Sequence, residues 1–253
     1  MAKYAYKDPQ RKDVIYSSQA IKEDRNTAFY CPNPECNAKL YICALDGSKS
    51  AYFRATKPEY KHIINCPFGS SNSEFDENKF DESKFVFDNA IDNLLCVTTP
   101  SKEKEKSTGH NTGEPQLHPP RTIRQIYSMC KSMPVNSKYG DKEIGEMLLD
   151  DRSEYRYPKG CFGIRIIETI VKKRIYDDNK KQIYLAAPMN SQKYTFVLEF
   201  NDSNTYQTIR SEIYNNRDKI IVIAGNWKSS GTYNSFVTTV YGRKQVAIIK
   251  NNK

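Results

Sequence analysis

The chain has 253 residues, with 39 Lys and Arg against 30 Asp and Glu and a formal net charge of +9. That length suits one large domain or two modest ones. No stretch nears the roughly 20 apolar residues of a membrane-spanning helix, the first residues (MAKYAYKDPQRKD) lack the apolar centre of a secretory leader, and seven cysteines form an odd, irregular set; reduced thiols in a cytoplasm are expected, not an exported disulfide framework.

The charge is unevenly placed. Residues 1–157 carry 23 basic and 23 acidic side chains, whereas residues 158–253 carry 16 against 7, so the whole excess falls in the last third. A local basic excess is the electrostatic footprint of a surface that meets phosphate, although a basic face kept only for solubility has the same composition.

In chain order, the first feature is a set of paired metal-ligand residues. Cys31-x4-Cys36 and His62-x3-Cys66 each have a spacing found in structural zinc sites. Two thiolates on a tight turn, helped by Pro32 and Pro34, can face one ion, and a second pair must return to complete the tetrahedron. Lys39 to Leu45 and Ser50 to Arg54 alternate apolar and polar residues around Asp46-Gly47, which predicts a β-hairpin that supplies the return. Zinc is therefore the expected cofactor, with a structural role because four protein ligands leave no position for a reactive water. The competing reading is a set of unrelated buried cysteines. Cys43, among apolar strand neighbours, reads as core and not as ligand.

From Glu82 to Cys96 the spacing predicts an amphipathic helix packed on the hairpin, with an acidic outer face. Residues 98–120 are nearly devoid of apolar side chains and predict a flexible linker carrying His110 and His118. Next, Ile123, Ile126, Tyr127 and Cys130 fall at helical spacing, and residues 141–149 predict a second helix with Asp141 as N-cap. Beyond Cys161 come β-branched and aromatic runs at 162–177, 182–187, 194–200, 219–227 and 235–249, interrupted by one helix at 203–215.

Three strands, a helix and two strands is the order of an OB-fold. The runs Tyr194 to Phe200 and Lys219 to Trp227, on either side of the helix, resemble that family's pattern of an apolar strand, a helix closing the barrel bottom and a strand ending near a glycine turn. The resemblance covers about Cys161 to Ile249 and implies oligonucleotide or oligosaccharide binding. The candidate nucleic-acid-binding residues are Trp227, Lys228, Tyr233, Tyr194, Phe196, Lys172, Lys173, Arg174, Arg243 and Lys244: aromatics for base stacking, cations for phosphate. Trp227 and Tyr233 are favoured because they flank the turn at Lys228 to Gly231. The plainer alternative is that half or more of the aromatics fill the barrel, since strand alternation turns every second residue inward.

A second resemblance covers about residues 1–68. Tyr30, Cys31, Pro32, Cys36, Leu40, Gly47, Tyr52, Phe53, His62 and Cys66 are similar to the N-terminal zinc-finger-like region of the CoiA competence family. That family pairs the finger with a restriction-type nuclease domain. Here an H-F-x-H feature reads Tyr52-Phe53-Arg54-Ala55 and no Asp followed by a Glu-x-Lys strand is evident, so nuclease activity is not carried over.

No enzyme is expected. Usable His pairs, Gly-rich phosphate loops and paired carboxylates are missing from the sequence; Glu168 and Glu199 could meet Asp177 or Asp202 around Mg²⁺, but lone strand acids usually face solvent. The expectation is an α+β protein with a small zinc-stabilised hairpin and helix module (1–97), a linker (98–120), a helical segment (121–157) and a basic OB-fold-like five-stranded barrel (158–253). It binds nucleic acid, single strands favoured, while the N-terminal module is open to a protein partner; no membrane partner is expected. The alternatives are a protein adaptor using the same barrel and a degenerate CoiA-like nuclease.

Overall fold

The computed structural model describes residues 2–46, 51–63, 66, 68–69, 75, 80–96 and 117–249. The N-terminal strands are β1 (Tyr4–Tyr6), β2 (Val14–Tyr16), β3 (Phe29–Tyr30), β4 (Lys39–Cys43) and β5 (Tyr52–Arg54). They form an antiparallel sheet in the order β2-β1-β3-β4-β5. The expected hairpin is β4 and β5, in the register Ile42 opposite Phe53; Gly47 of its turn lies outside the described residues. One face of the sheet turns Ala5, Ile15, Phe29, Leu40, Ile42 and Phe53 inward onto Cys31, Cys36 and Cys66.

The next element is α1 (Phe87–Leu95). It does not pack on the hairpin as expected. Its apolar stripe of Phe87, Ile91 and Leu94 is buried with Ile126, Ile166, Val222 and Ala247, in the C-terminal half of the chain. The physical reason is availability: the apolar face of the N-terminal sheet is already occupied by the cysteine cluster, whereas the C-terminal sheet offers a wide aliphatic face. Of the expected linker, residues 98–116 lie outside the described residues. His118 is placed, bridging Phe80 in parallel, and its carbonyl accepts from Asp81 N at 3.1 Å.

Helix α2 (Ile123–Ser132) begins with a reciprocal cap between Thr122 and Gln125, and buries the expected Ile123, Ile126, Tyr127 and Cys130. The predicted helix at 141–149 is mostly something else: a hairpin of β6 (Lys138–Tyr139) and β7 (Lys142–Glu143), a single helical turn α3 (Ile144–Met147) and a short strand β8 (Leu148–Leu149). Asp141 does cap a helix, but a distant one, its Oδ1 accepting from Phe87 N of α1 at 2.9 Å.

The C-terminal strands are β9 (Gly163–Asp177), β10 (Gln182–Ala187), β11 (Tyr194–Glu199), then helix α4 (Ser203–Asn215), β12 (Ile220–Ser229), β13 (Ser235–Thr239) and β14 (Val246–Ile249). Strands β9 to β13 close into a five-stranded mixed barrel, OB-fold-like in its order β9-β10-β11-β13-β12-β9 with β11 and β13 parallel. Closure requires β9 to change partners: residues 163–169 pair with β12, and the strand then crosses to β10. Alternation sorts the side chains of β12. Ile221, Ile223 and Trp227 point into the barrel, and Ile220, Val222 and Ala224 point out beneath α1 and α2. Gly225 is required where β12 closely approaches Thr238 of β13, since a Cβ there would lie 2.7 Å from the Thr238 hydroxyl. Helix α4 plugs one end with Tyr206, Ile209 and Ile213. With the back covered by α1 and α2 and that end plugged, the outer face of β10, β11 and β13 is the side these helices leave open.

Candidate metal centre and binding face

The four predicted ligands converge. Cys31 leaves the end of β3, with its N–H held by Ala38 O at 3.2 Å, and the loop turns so that Cys36 N reaches Asn33 O at 3.0 Å. Arg11 clamps this loop from outside, donating through Nε to Cys31 O at 2.9 Å and through a terminal nitrogen to Cys36 O at 2.8 Å. Cys31 Sγ lies 3.7 Å from Cys66 Sγ, and His62 Nδ1 lies 3.5 Å from both Cys31 Sγ and Cys36 Sγ. All four donor atoms fall within 4.8 Å of one another, and the three thiols are buried.

These separations pass a geometric test. An ion bound at ordinary Zn–S and Zn–N lengths sets sulfur–sulfur edges of about 3.8 Å and sulfur–nitrogen edges of about 3.5 Å in a tetrahedron. Hydrogen-bonded thiols alone do not require four donors to point at one centre. The cluster is therefore a site that could hold a metal ion such as zinc. Sulfhydryls of Cys31 and Cys66 directed at Cys36 pull that thiol below its ordinary range, while burial pushes Cys31 up. Asn33 donates to Cys66 Sγ at 3.7 Å, an outer contact of the kind that orients ligands. Cys43 lies on β4 away from the cluster, half-buried, with its sulfhydryl toward Tyr41 O.

The barrel divides the other candidates into two groups. Tyr194, Phe196 and Trp227 are interior, and this corrects the expectation that they stack on bases. Trp227 is 1 % exposed, packs edge-on against Phe196 at 4.8 Å between centroids, and spends its indole N–H on Arg165 O at 3.2 Å. Closing a barrel turns one residue in two inward, and these large aromatics fill its lumen with Phe236. Arg243 and Lys244 follow the end of β13 whereas Tyr233 precedes its start, so they sit at the opposite end of the barrel; Arg243 is also tied to Glu212 of α4 at 2.8 Å.

The remaining candidates lie on or beside the open face. One outward row crosses four strands as Tyr184, Val197, Val237 and Lys228, and the next as Ala186, Thr195 and Ser235. Lys172 reaches across β10 to donate to Thr195 Oγ1 at 2.6 Å. At the rim, Tyr233 is 91 % exposed, and Lys193 stands 5.0 Å from the Tyr194 ring and within electrostatic reach of Tyr233. Lys173 is exposed, and the side chain of Arg174 lies outside the described part of the structure.

A buried ionic cluster between the two halves was not foreseen. Lys131 Nζ of α2 meets Asp150 Oδ2 at 2.7 Å and Glu168 Oε2 at 3.0 Å; Arg152 meets the same Asp150 oxygen through Nε at 2.7 Å and donates through a terminal nitrogen, Nη1, to the Tyr4 hydroxyl of β1 at 2.8 Å. Phe68, two residues beyond Cys66 of the cluster, lies under both cations, 4.9 Å from Lys131 Nζ and 5.5 Å from the Arg152 guanidinium carbon. Tyr127 donates to Glu168 Oε2 at 2.5 Å. Glu168 is thus not the solvent-facing strand acid expected. The signal available in sequence was a charged residue in the phase of Ile164 and Ile166, the face of β9 turned away from the lumen and covered by α2, where a carboxylate requires a buried partner. The cluster ties the cysteine-bearing module to the barrel through Tyr4 and Phe68. Glu199, by contrast, is bonded to Gln182 at 2.7 Å.

Among the described residues, no helix is long and apolar enough to cross a membrane. Comparison of the chain with protein-family models, with curated proteins and with solved structures gave no match, so the CoiA and OB-fold resemblances rest on the residues and strand order themselves.

Proposed function

We propose that the protein binds single-stranded nucleic acid on the open face of its barrel, and that the Cys31, Cys36, His62 and Cys66 cluster holds a structural Zn²⁺. The observation that carries the first reading is the content of that face. Half-buried Tyr184 and Val237 and the exposed Tyr233 offer apolar contact over Val197, which is itself buried, with Lys172, Lys193 and Lys228 at the edges, on the side of the barrel that α1, α2 and α4 leave open. Flat rings offer stacking to any base, and the cations supply phosphate contacts without base selectivity. Single strands are favoured because a strand surface has no projecting helix to enter a duplex groove.

Zinc is proposed because three thiolates and an imidazole at these separations are its usual donor set, and because four protein ligands leave no open coordination position. When bound, the ion cross-links two loops of a module whose core is small. Fluorescence anisotropy with labelled single- and double-stranded DNA and RNA tests the binding reading. Single strands bind the native chain, and the pair Lys228→Glu, Tyr233→Ala weakens that binding at least tenfold while Trp227→Phe leaves it unchanged. An adaptor that docks protein on the same face gives no oligonucleotide binding at low salt, which overturns the reading.

A further inference from the structure

The N-terminal sheet has a second face: at its β1 end Tyr4, in phase with Tyr6, is buried against Arg152 of the barrel half, and the composition of the rest is explained by neither the metal nor this contact. Its inner face carries the core onto the cysteines, so alternation turns Tyr6, Tyr30, Lys39, Tyr52 and Arg54 to the other side. Register makes them neighbours: Tyr6 lies opposite Tyr30, Tyr30 opposite Lys39, Tyr41 opposite Arg54 and Cys43 opposite Tyr52. Lys39 Nζ stands 3.3 Å from the centre of the Tyr30 ring, and Lys57 Nζ stands 4.7 Å from that of Tyr41. Tyr6, Tyr30 and Tyr52 are half-buried, and Arg54 and Lys57 are exposed. A solvent-facing sheet surface ordinarily carries mixed charges and Thr; here aromatic rings alternate with cations.

The charge agrees. Averaged over residues 1–157 the chain is neutral, but residues 1–69 hold eleven Lys and Arg against seven Asp and Glu, and the compensating acids belong to later segments. The module itself carries a surplus of four positive charges.

We infer that this face is a second binding surface for single-stranded nucleic acid, distinct from the barrel face, with Tyr30 and Tyr52 as stacking platforms and Lys39, Arg54 and Lys57 as phosphate contacts. The cation held on the Tyr30 ring marks how the exchange runs. An incoming base takes the ring face, and Lys39 swings from the ring to the phosphate beside that base, so its charge is not lost but redirected. The module touches the barrel half through Tyr4 and Phe68, so the two faces are joined and together can hold two stretches of a longer strand.

Photo-crosslinking of the full chain to a single strand carrying 5-bromouridine at every third position, followed by peptide mapping, tests this independently of the barrel. Crosslinks are expected at Tyr30 and Tyr52, at least tenfold weaker in Lys39→Glu, Arg54→Glu, and retained in the barrel-face pair Lys228→Glu, Tyr233→Ala. Circular dichroism and metal content confirm that each variant is folded. Crosslinks confined to barrel peptides, no crosslinks at all, or crosslinks to Tyr30 and Tyr52 that survive the Lys39→Glu, Arg54→Glu change each overturn the inference. Crosslinks on the module alone would support it while removing the barrel reading.

Discussion

Replacing Lys131 by Met isolates the energetics of the buried cluster. The side chain is 7 % exposed, and both carboxylates it meets are 1 % exposed. Methionine fills nearly the same volume, so packing is preserved and the change is mainly electrostatic. Asp150 keeps Arg152 and the backbone N–H groups of Arg152 and Ser153. Glu168 keeps only the Tyr127 hydroxyl on Oε2, while its buried Oε1 has no partner among the described residues. Breaking a buried pair by removing one partner costs about 3–5 kcal/mol, and here the cost concentrates on Glu168. The single tryptophan of the chain, buried in the barrel, reports unfolding directly. With a urea slope of about 2–3 kcal/mol/M, the midpoint of Lys131→Met falls by about 1–2.5 M. The double variant Lys131→Met, Glu168→Gln removes the stranded charge and regains at least about 1 kcal/mol, a coupling expected only between interacting groups. Loss in the double variant equal to the sum of the two single losses would refute the assignment of Lys131 as the counter-charge of Glu168.

Three further outcomes follow from the same geometry. Trp227→Ala opens a cavity in the barrel and costs about 3–5 kcal/mol, and in the native chain a bound oligonucleotide leaves the emission maximum of the tryptophan unchanged because no base reaches it; a large binding-induced shift contradicts the interior placement. Asp150 and Asp151 act in opposite senses on stability. Burial would raise Asp150, but the Arg152 and Lys131 charges hold it below the ordinary carboxylate value, so its contribution is present above about pH 4 and is lost as pH falls through its folded value. Burial, with Glu168 and Asp150 nearby, raises Asp151 to about 6, so its contribution is present below about pH 4 and lost as pH rises through 6. Asp151→Asn accordingly stabilises the chain at pH 8, by about 1 kcal/mol after allowance for solvent screening, and not at pH 4, as urea titrations at the two pH values will show. Finally, a Cβ at Gly69 would stand 2.9 Å from the Cβ of His62 and 3.3 Å from Cys66 O, so Gly69→Ala weakens metal affinity by roughly 10–100-fold without altering a ligand; competition with a chromogenic chelator measures it.

Much of the site was legible in sequence because its signals are local. Ligand spacing needs only a turn and a return, so Cys31, Cys36, His62 and Cys66 were found; strand and helix periodicity gave the barrel order and the buried face of α2. What was not legible depends on which surfaces meet. Alternation says that Tyr194, Phe196 and Trp227 share phase, but only closure tells which phase is the lumen. The stripe of α1 is amphipathic whatever it packs against, and its partner is set by which apolar face is still uncovered. Asp141 has the chemistry of a cap, yet caps a helix 54 residues earlier. Lys131, Asp150, Arg152 and Glu168 come from three separate segments; only Glu168, set in an apolar strand phase, signals a buried partner, and nothing local says that the partner is Lys131.

The central claim is that cations of the open barrel face contact the phosphates of a single strand. Its most direct test is the salt dependence of binding to a short single strand that fills one barrel site. Single-strand contacts give a slope of about −0.7 per phosphate in log affinity against log salt, so three contacts through Lys172, Lys193 and Lys228 set a slope of about −2. Replacing Lys172 and Lys228 together by Ala should flatten it by about 1.4. Binding that is absent at 50 mM salt, or a slope unmoved by that double substitution, would contradict the account.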